Sequence, residues 1–253
     1  MSVLLFALTL MFAVPPQQTA DDLVKAQKWP EAAAAYEEIV KREPANGIAM
    51  FNLACIYARM NEKDKAVEWL RQSVAPANNA FYLLDLNDPD LASLHDDPRY
   101  REIVQSVDKL KSPCMYSAEA RQFDFWVGEW DVFGPQGRKA GSSVIQRVAN
   151  GCGILENWTN AVGGGGGKSI NFYDPQAKKW FQYWIGADGN PQRFAGVFSD
   201  GAMRYEGQPP GHRRLTFFNL DANTVRQLAE QSSDDGKSWT VTYDFKYVRK
   251  NAQ

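Results

Sequence analysis

Histidine is scarce in this chain: His95 and His212 are the only two among 253 residues. A Ser-His-Asp relay or a histidine-rich metal site is therefore nearly excluded. His212 stands between Pro209-Pro-Gly211 and a pair of arginines, a setting that indicates an exposed strand end and not a haem ligand. The sequence accordingly predicts no metal and no cofactor.

Concentrated basic charge is also lacking. The formal net charge is −2, with 12 basic against 16 acidic residues in 20–113 and 16 against 14 in 114–253. Nucleic-acid binding needs a clustered basic face that displaces counterions. The pairs Arg213-Arg214 and Lys178-Lys179 are interpreted as solvated strand ends, so no nucleic-acid partner is predicted.

Long apolar runs are absent apart from Met1 to Val14, which carries no charge and is followed by Pro15-Pro16. This run is too short to span a bilayer, so no transmembrane span is predicted. Its length fits the apolar region of a signal peptide over residues 1–19, although no Lys or Arg precedes it and no clean cleavage site follows. The prediction is a periplasmic or secreted protein; the alternative is a buried first helix of the helical region.

Cysteine is limited to Cys55, Cys114 and Cys152, and none has the spacing of a zinc site or a redox pair. Cys114 precedes the first predicted strand of the second half, and Cys152 stands at the start of the third. A disulfide between them would pin the beginning of that domain and would require an oxidising compartment.

The first half contains an internal repeat, because residues 31–44 and 65–78 align with an offset of 34. The aligned pairs are Ala32 with Ala66, Tyr36 with Leu70, and Ile39 with Ser73. This period and the Phe51–Arg59 segment resemble tetratricopeptide repeats, whose paired helices bury their apolar faces against neighbours. We expect residues 20–110 to form such helices, with a degenerate third unit after Ala80, where the repeat pattern weakens. The array either docks a protein partner or sister subunit, or serves as a spacer or cap.

The second half, predicted as a domain over 111–253 after a linker at 109–117, shows no helical period. Short aromatic or β-branched runs alternate with turn signals, in a chain that is 13% aromatic. The predicted strands are 123–133, 141–149, 153–161, 168–174, 179–186, 192–199, 202–207, 213–220, 224–232 and 238–249. This number is enough for a closed antiparallel up-and-down barrel without exposed edges, giving an α + β protein of two domains.

Residues two apart in a strand share a face, and one face of the predicted strands mixes large rings with polar groups. Because buried polar groups without partners cost about 1–3 kcal/mol each, such an interior indicates a wet or ligand-filled cavity. In the alternative, these polar side chains pair with one another or face solvent. The predicted ligand-binding residues are Trp126, Glu156, Trp158, Asn171, Tyr173, Gln182, Trp184 and Gln227.

The segment Gln122-Phe-Asp-Phe-Trp-Val-Gly-Glu-Trp-Asp-Val132 resembles the opening strand of bacterial lipocalin-like domains of unknown function. Within it, Gly128-x-Trp130 is similar to the GxW motif of lipocalins and the wider calycin group. The resemblance implies that Trp130 plugs the base of a barrel and that an arginine from a late strand covers it. Arg249 and Arg226 are both candidates for that arginine.

Two further motifs belong to turns. Ser232-x-Asp234-x-Gly236-x-x-Trp239 matches the spacing of an Asp-box, a hairpin device in which the carboxylate accepts backbone N–H groups and glycine takes the bend. A structural role is predicted for it. Gly163 to Gly167 lacks the context of a phosphate-binding loop and is interpreted as a flexible loop at the mouth of the barrel.

Two functions remain open. The first is an exported protein that binds a small apolar or amphipathic molecule and docks a partner through its repeats. The alternative is a barrel enzyme of isomerase or cyclase type that uses an interior carboxylate such as Glu156, with its pKa raised by burial. Glu156→Gln separates them, because a binder keeps binding with altered affinity whereas an enzyme loses turnover.

Overall fold

The computed structural model describes residues 16–78, 80–208 and 212–250, so the predicted signal peptide at 1–19 lies almost wholly outside the described residues. The chain divides into two compact units, with the boundary between Lys111 and Ser112. The first, the repeat unit, is helical, and the second, the barrel unit, is a closed antiparallel barrel. The predicted fold class is confirmed.

The repeat unit contains five α-helices among its described residues: α1 Pro16–Lys25, α2 Trp29–Arg42, α3 Gly47–Arg59, α4 Lys63–Ser73 and α5 Pro98–Lys111. Helices α2 and α4 begin 34 residues apart, as the repeat predicts. Pro30 lies in the first turn of α2, and the Asn46 side chain accepts the Ala49 N–H at 2.9 Å to cap α3.

Burial explains why the 34-residue repeat is visible in the sequence. All six residues of its aligned pairs are buried, because the small residues let neighbouring helices approach and the large ones fill the space beside them. Beyond α4 the degenerate part forms short 3₁₀ turns, including Pro89–Leu94, before α5. Helix α5 continues to Lys111, so the linker predicted from residue 109 begins too early.

The barrel unit forms ten strands in its described residues. They are β1 Gly128–Phe133, β2 Lys139–Val148, β3 Gly153–Asn160, β4 Gly166–Asp174, β5 Lys179–Gly186, β6 Pro191–Ser199, β7 Ala202–Gln208, β8 Arg213–Asp221, β9 Thr224–Gln231 and β10 Thr240–Arg249. Each strand pairs antiparallel with the next, and β1 pairs with β10 to close the sheet. The predicted up-and-down order is confirmed.

The segment before β1 corrects one predicted strand. The chain at Asp124–Trp126 is a 3₁₀ turn, and the strand begins at Gly128 and not at residue 123. Trp126 and Trp130 are nevertheless both buried, and the Trp130 indole N–H donates to the Trp126 carbonyl at 2.8 Å. The aromatic run therefore folds inward across the end of the barrel and does not extend the sheet.

The predicted disulfide between Cys114 and Cys152 is present in the barrel unit. It joins the 3₁₀ turn Pro113–Tyr116 to the turn at Ala149–Gly151 that leads into β3. Cys55 is a free, buried cysteine of the repeat unit.

None of the described helices combines the length and apolarity needed to cross a bilayer.

The hairpin between β9 and β10 has the geometry of an Asp-box. The Asp234 carboxylate accepts the Ser238 N–H at 2.8 Å, and the Ser232 hydroxyl accepts the Gly236 N–H at 2.8 Å. Gly236 has φ +84°, which favours glycine, and the Trp239 indole donates to its carbonyl at 3.0 Å. These contacts stay within the turn.

Candidate functional site

A cavity of about 300 Å³ lies inside one end of the barrel. Six strands contribute to its lining. Within a strand the lining residues are two apart, because every second residue points inward. The lining residues are Glu156, Trp158, Asn160, Gln182, Trp184, Gln192, Phe194, Leu215, Gln227, Tyr243, Phe245 and Tyr247. The cavity thus has walls of aromatic rings and a polar region that includes Glu156.

Glu156 is the buried carboxyl group of this cavity, with 3% of its surface exposed. The Ser143 hydroxyl donates to Oε1 and the Ser169 hydroxyl to Oε2, each at 3.0 Å. Burial raises the pKa of Glu156 from 4.5 to about 7, and the hydrogen bonds from Ser169 and Ser143 oppose that rise. The group therefore changes its charge near neutral pH.

A chain of amides extends from this carboxyl group. Asn171 donates to the Ser169 hydroxyl at 3.0 Å and to the Ile154 carbonyl at 3.3 Å, and Gln182 donates to the Asn171 carbonyl oxygen at 2.9 Å. The backbone carbonyl accepts only, so it fixes the orientation of the Asn171 amide and, through it, that of Gln182. The Gln182 amide oxygen accepts no hydrogen bond from any described residue.

These contacts favour the alternative that was left open for the polar interior. Most of its polar groups pair with one another: besides the contacts above, Tyr247 donates to the Gln227 carbonyl oxygen at 2.7 Å. A ligand is therefore not needed to satisfy them. The case for binding depends on the empty volume and its aromatic walls.

One wall is a row of stacked rings. Trp158 stacks on Phe245 with 6.0 Å between ring centroids, and Phe245 stacks on Tyr243 at 4.7 Å. The Trp158 indole donates to the Asn160 side-chain oxygen at 2.5 Å, which holds the ring in place. Trp158 and Trp184 are only partly buried, so their faces are available to a ligand.

Two glycines make room for these tryptophans. A Cβ atom at Gly141 would lie 2.6 Å from the Trp158 ring, and one at Gly167 would lie 2.3 Å from the Trp184 ring. Both rings therefore lie directly against the backbone of a neighbouring strand. Gly167, predicted as part of a flexible glycine loop, is in fact the second residue of β4.

The opposite end of the barrel is filled. Phe123 stacks on Trp126 at 4.9 Å, and Trp126 contacts Phe217 at 4.6 Å. The guanidinium of Arg249 lies 4.2 Å from the centre of the Trp130 ring and donates to the Val127 carbonyl at 2.9 Å. We call this region the closed end and the region around the cavity the open end.

The structure distinguishes the two arginine candidates for covering Trp130. Arg249 lies over that ring and its guanidinium also lies against Gly128, whose φ of +141° favours glycine. Arg226 instead donates to both carboxylate oxygens of Asp244, each at 2.8 Å.

The predicted ligand-binding residues divide between the two ends. Five of the eight line the cavity: Glu156, Trp158, Gln182, Trp184 and Gln227. Asn171 is buried behind it in the amide chain. Trp126 packs in the closed end, and Tyr173 contacts Trp180, which is buried there, at 6.2 Å. Neither of these two rings lines the cavity.

Several residues of the site, in the cavity lining and around the Glu156 carboxylate, were not identified from the sequence. Tyr243, Phe245 and Tyr247 alternate with charged or polar residues in β10, a visible period-two signal. Ser169 precedes Asn171 by two positions and shares its face. Ser143 had no such signal, because its role depends on the register that places it opposite Trp158 and beside Glu156.

The repeat unit has a groove of its own, of about 300 Å³, between α1, α2, α3 and the Pro89–Leu94 turn. At its base the Tyr36 hydroxyl donates to Asp21 and accepts from Gln17 at 2.9 Å and Asn52 at 2.8 Å. Burial, and then Asp21, raise the pKa of Tyr36 well above its ordinary value. Trp29 lines the groove beside Lys25 and three carboxylates, those of Asp21, Asp88 and Asp90.

Residues 18–81 match the tetratricopeptide repeat family. The match lies wholly within the repeat unit. Among solved structures, an S-type phycobiliprotein lyase from Guillardia theta aligns with 56% of this chain and 98% of its own, at 11% identity and a TM-score of 0.30. This similarity is too low to assign a ligand or an activity to the barrel.

Among the described residues, no three His, Cys, Asp or Glu side chains lie close enough together to hold a metal ion.

Proposed function

We propose that the barrel binds a small, flat, largely apolar or amphipathic molecule in its cavity, and that the repeats dock a protein partner. The observation that carries the proposal is the cavity of about 300 Å³ with a stacked row of Trp158, Phe245 and Tyr243 as one wall. Burial of roughly 200 Å² of apolar ligand surface contributes roughly 5 kcal/mol before the entropy costs of association, which fits weak to micromolar binding.

The test uses the neutral dye N-phenyl-1-naphthylamine, whose emission rises in apolar surroundings, and the full-length chain. Gln192→Trp adds a large ring at the lining of the cavity, whereas Arg193→Trp adds the same ring one residue along on the outer face, where Arg193 lies over Tyr183. We expect Gln192→Trp to weaken dye binding about tenfold or more and Arg193→Trp to leave it within about twofold. Equal binding by both variants, or no binding by the wild type, contradicts the proposal.

A second candidate function is catalysis by Glu156. The observation favouring it is a cavity-lining carboxyl group whose pKa is raised to about 7, which suits a general acid or base near neutral pH. Glu156→Gln is the discriminating change. If the protein only binds its ligand, the variant still binds the dye and neither protein shows turnover. If it is an enzyme of isomerase or cyclase type, the variant still binds but loses the turnover that the wild type has with its substrate.

Docking by the repeat unit is supported by the groove around Trp29 and Tyr36. Its three carboxylates outnumber the two cations beside them, Lys25 and the Arg59 that lies 3.7 Å from Asp90 and over the Trp29 ring. The partner segment that the groove fits therefore carries a Lys or Arg side chain beside an apolar one. A fluorescently labelled Lys- and Leu-containing peptide should bind the full-length protein, and Asp90→Asn with Trp29→Ala should weaken that binding. Unchanged peptide polarisation in the double variant contradicts the assignment.

The disulfide between Cys114 and Cys152 supports an exported location, because disulfides persist in oxidising compartments. We propose that the protein is periplasmic or secreted. Counting thiols in denatured protein from fractionated cells tests this: one free thiol, that of Cys55, is expected, and three contradict it.

A further inference from the structure

Arg213 provides an interior-facing positive charge at the rim of the open end. In β8 it shares a face with Leu215, which lines the cavity, and with Phe217, which is buried in the closed end. Arg213 also lines a second concavity of about 280 Å³, which shares Gln192, Phe194, Leu215 and Tyr243 with the first. Arg214 and Glu230 line this second concavity as well, but they pair with each other at 3.7 Å, so the remaining charge there is that of Arg213. The cavity therefore continues outward past this guanidinium.

The charge of Arg213 is not neutralised by its neighbours. In the part of the chain that the structure describes, no carboxylate lies within ion-pairing distance of its guanidinium. The adjacent Arg214, on the opposite face of β8, is 3.7 Å from the Glu230 carboxylate and lies over the Trp239 ring. From the sequence, both arginines are predicted to be solvated strand ends. Only Arg214 lies on the outer face of β8, whereas Arg213 lies on the inward face, at the rim of the cavity.

The inner part of the cavity has a complementary feature. The Gln182 amide oxygen accepts no hydrogen bond from the described residues, while its N–H group is held by Asn171. A ligand that enters between Trp158 and Trp184 thus meets a positive charge at the rim and a hydrogen-bond acceptor further in. The rings between them offer apolar and stacking contacts only.

Resting on the proposed binding function, we infer that the ligand is an anionic aromatic or polyene-like amphiphile: a flat apolar body with one acidic group, carboxylate or sulfonate in type. The acidic group pairs with Arg213 at the rim, and the body lies against Trp158, Phe245 and Tyr243. A donor N–H or O–H near the far end of the body binds the Gln182 oxygen. Guanidinium binds such an acidic group with charge-assisted hydrogen bonds, although exposure at the rim weakens them.

The test compares two dyes that share an anilinonaphthalene body. 8-Anilinonaphthalene-1-sulfonate carries the anionic group, and N-phenyl-1-naphthylamine lacks it. In the full-length protein we expect Arg213→Gln to weaken sulfonate dye binding about threefold to tenfold while changing neutral dye binding less than about twofold. Arg193→Gln is the matched control, because it removes the same charge from an outward-facing residue of β6 and should change neither affinity.

Two further measurements keep the outcomes distinct. Arg213→Lys should retain most of the preference for the sulfonate dye, and 0.5 M salt should reduce that preference in the wild type because the pair is exposed. Equal weakening of both dyes by Arg213→Gln, or no weakening of either, overturns the anionic assignment. Failure of the neutral dye to bind the wild type overturns the proposed binding function itself.

Discussion

Both ends of the barrel are built from aromatic residues, but the rings fill the closed end and line a cavity at the open end. At the closed end Trp126, Trp130 and Phe217 are fully buried, and Trp126 packs against Phe217 while Trp130 packs against the inward-facing ring of Tyr247. At the open end Trp158 and Trp184 are partly exposed and lie against glycine backbone, which leaves empty space between the walls. Aromatic content alone therefore does not distinguish a core from a binding site, whereas the surroundings of the rings do.

The largest expected effect tests whether the closed end carries the stability. Trp126→Ala should lower the free energy of unfolding by about 3–5 kcal/mol, because it removes a fully buried ring and leaves a cavity. Trp184→Ala, the matched change at the open end, should cost less than about 2 kcal/mol. Urea unfolding followed by near-ultraviolet circular dichroism measures both, and Trp126→Phe serves if the alanine variant does not fold. Similar losses in the two alanine variants would show that the closed end contributes no more stability than the open end.

The disulfide should have the next largest effect. Cys114→Ser with Cys152→Ser removes a link between residues 38 apart that holds the segment leading to Phe123 and Trp126. We expect a loss of about 2–4 kcal/mol in the free energy of unfolding. Adding reductant should cause the same loss in the wild type and none in the double variant. Neutral dye binding at the open end should persist wherever the variant is folded.

Glu156, which lies at the open end, should make the free energy of unfolding depend on pH. Its pKa is about 7 in the folded protein against an ordinary 4.5, so the folded state retains a proton that the unfolded chain releases. The contribution to stability is complete below pH 4.5 and is lost as the pH rises to about 7, by at most about 3 kcal/mol.

Glu156→Gln should flatten the unfolding free energy across this pH window, because the amide does not ionise. The comparison is made by urea unfolding of both proteins at intervals between about pH 4.5 and 7.5. An identical slope in the variant and the wild type would show that other groups cause the dependence.

The smallest effect concerns the glycines under the open-end rings. Gly167→Ala places a methyl group where the Trp184 ring lies and should cost about 1–2 kcal/mol while shifting tryptophan emission. Gly207→Ala is the control, since its Cβ would meet the nearest atom at an ordinary 3.4 Å. If Gly207→Ala shifts the emission as much, the ring packing at Gly167 is not the cause.

Much of the fold was predictable because its signals are local or periodic. The 34-residue offset placed α2 and α4, and the buried pairs such as Ala32 with Ala66 show why it survives in the sequence. Turn residues separated the ten strands. The error at 123–127 has a physical cause: a run of aromatic residues has high strand propensity, but here it packs across the barrel end as a 3₁₀ turn.

The candidate site was only partly predictable. Alternation placed Glu156, Trp158, Gln182 and Trp184 on the inner face. It did not reveal how far along the barrel each residue lies, so Trp126 and Tyr173 were assigned to the ligand although they lie away from the cavity. Depth depends on strand register, and register is a property of pairs of strands.

The two-unit order, the repeat period, the strand count and the inward face of most strands could be predicted from the amino-acid sequence, because they depend on spacing along one segment. Tertiary contacts were needed to show which arginine covers Trp130, that Ser143 and Ser169 bind the Glu156 carboxylate, and that the rings fill one end while leaving the other open. Each of those outcomes depends on which atoms from distant segments are in contact. In a close-packed interior, a shift of about an ångström is enough to make or remove such a contact.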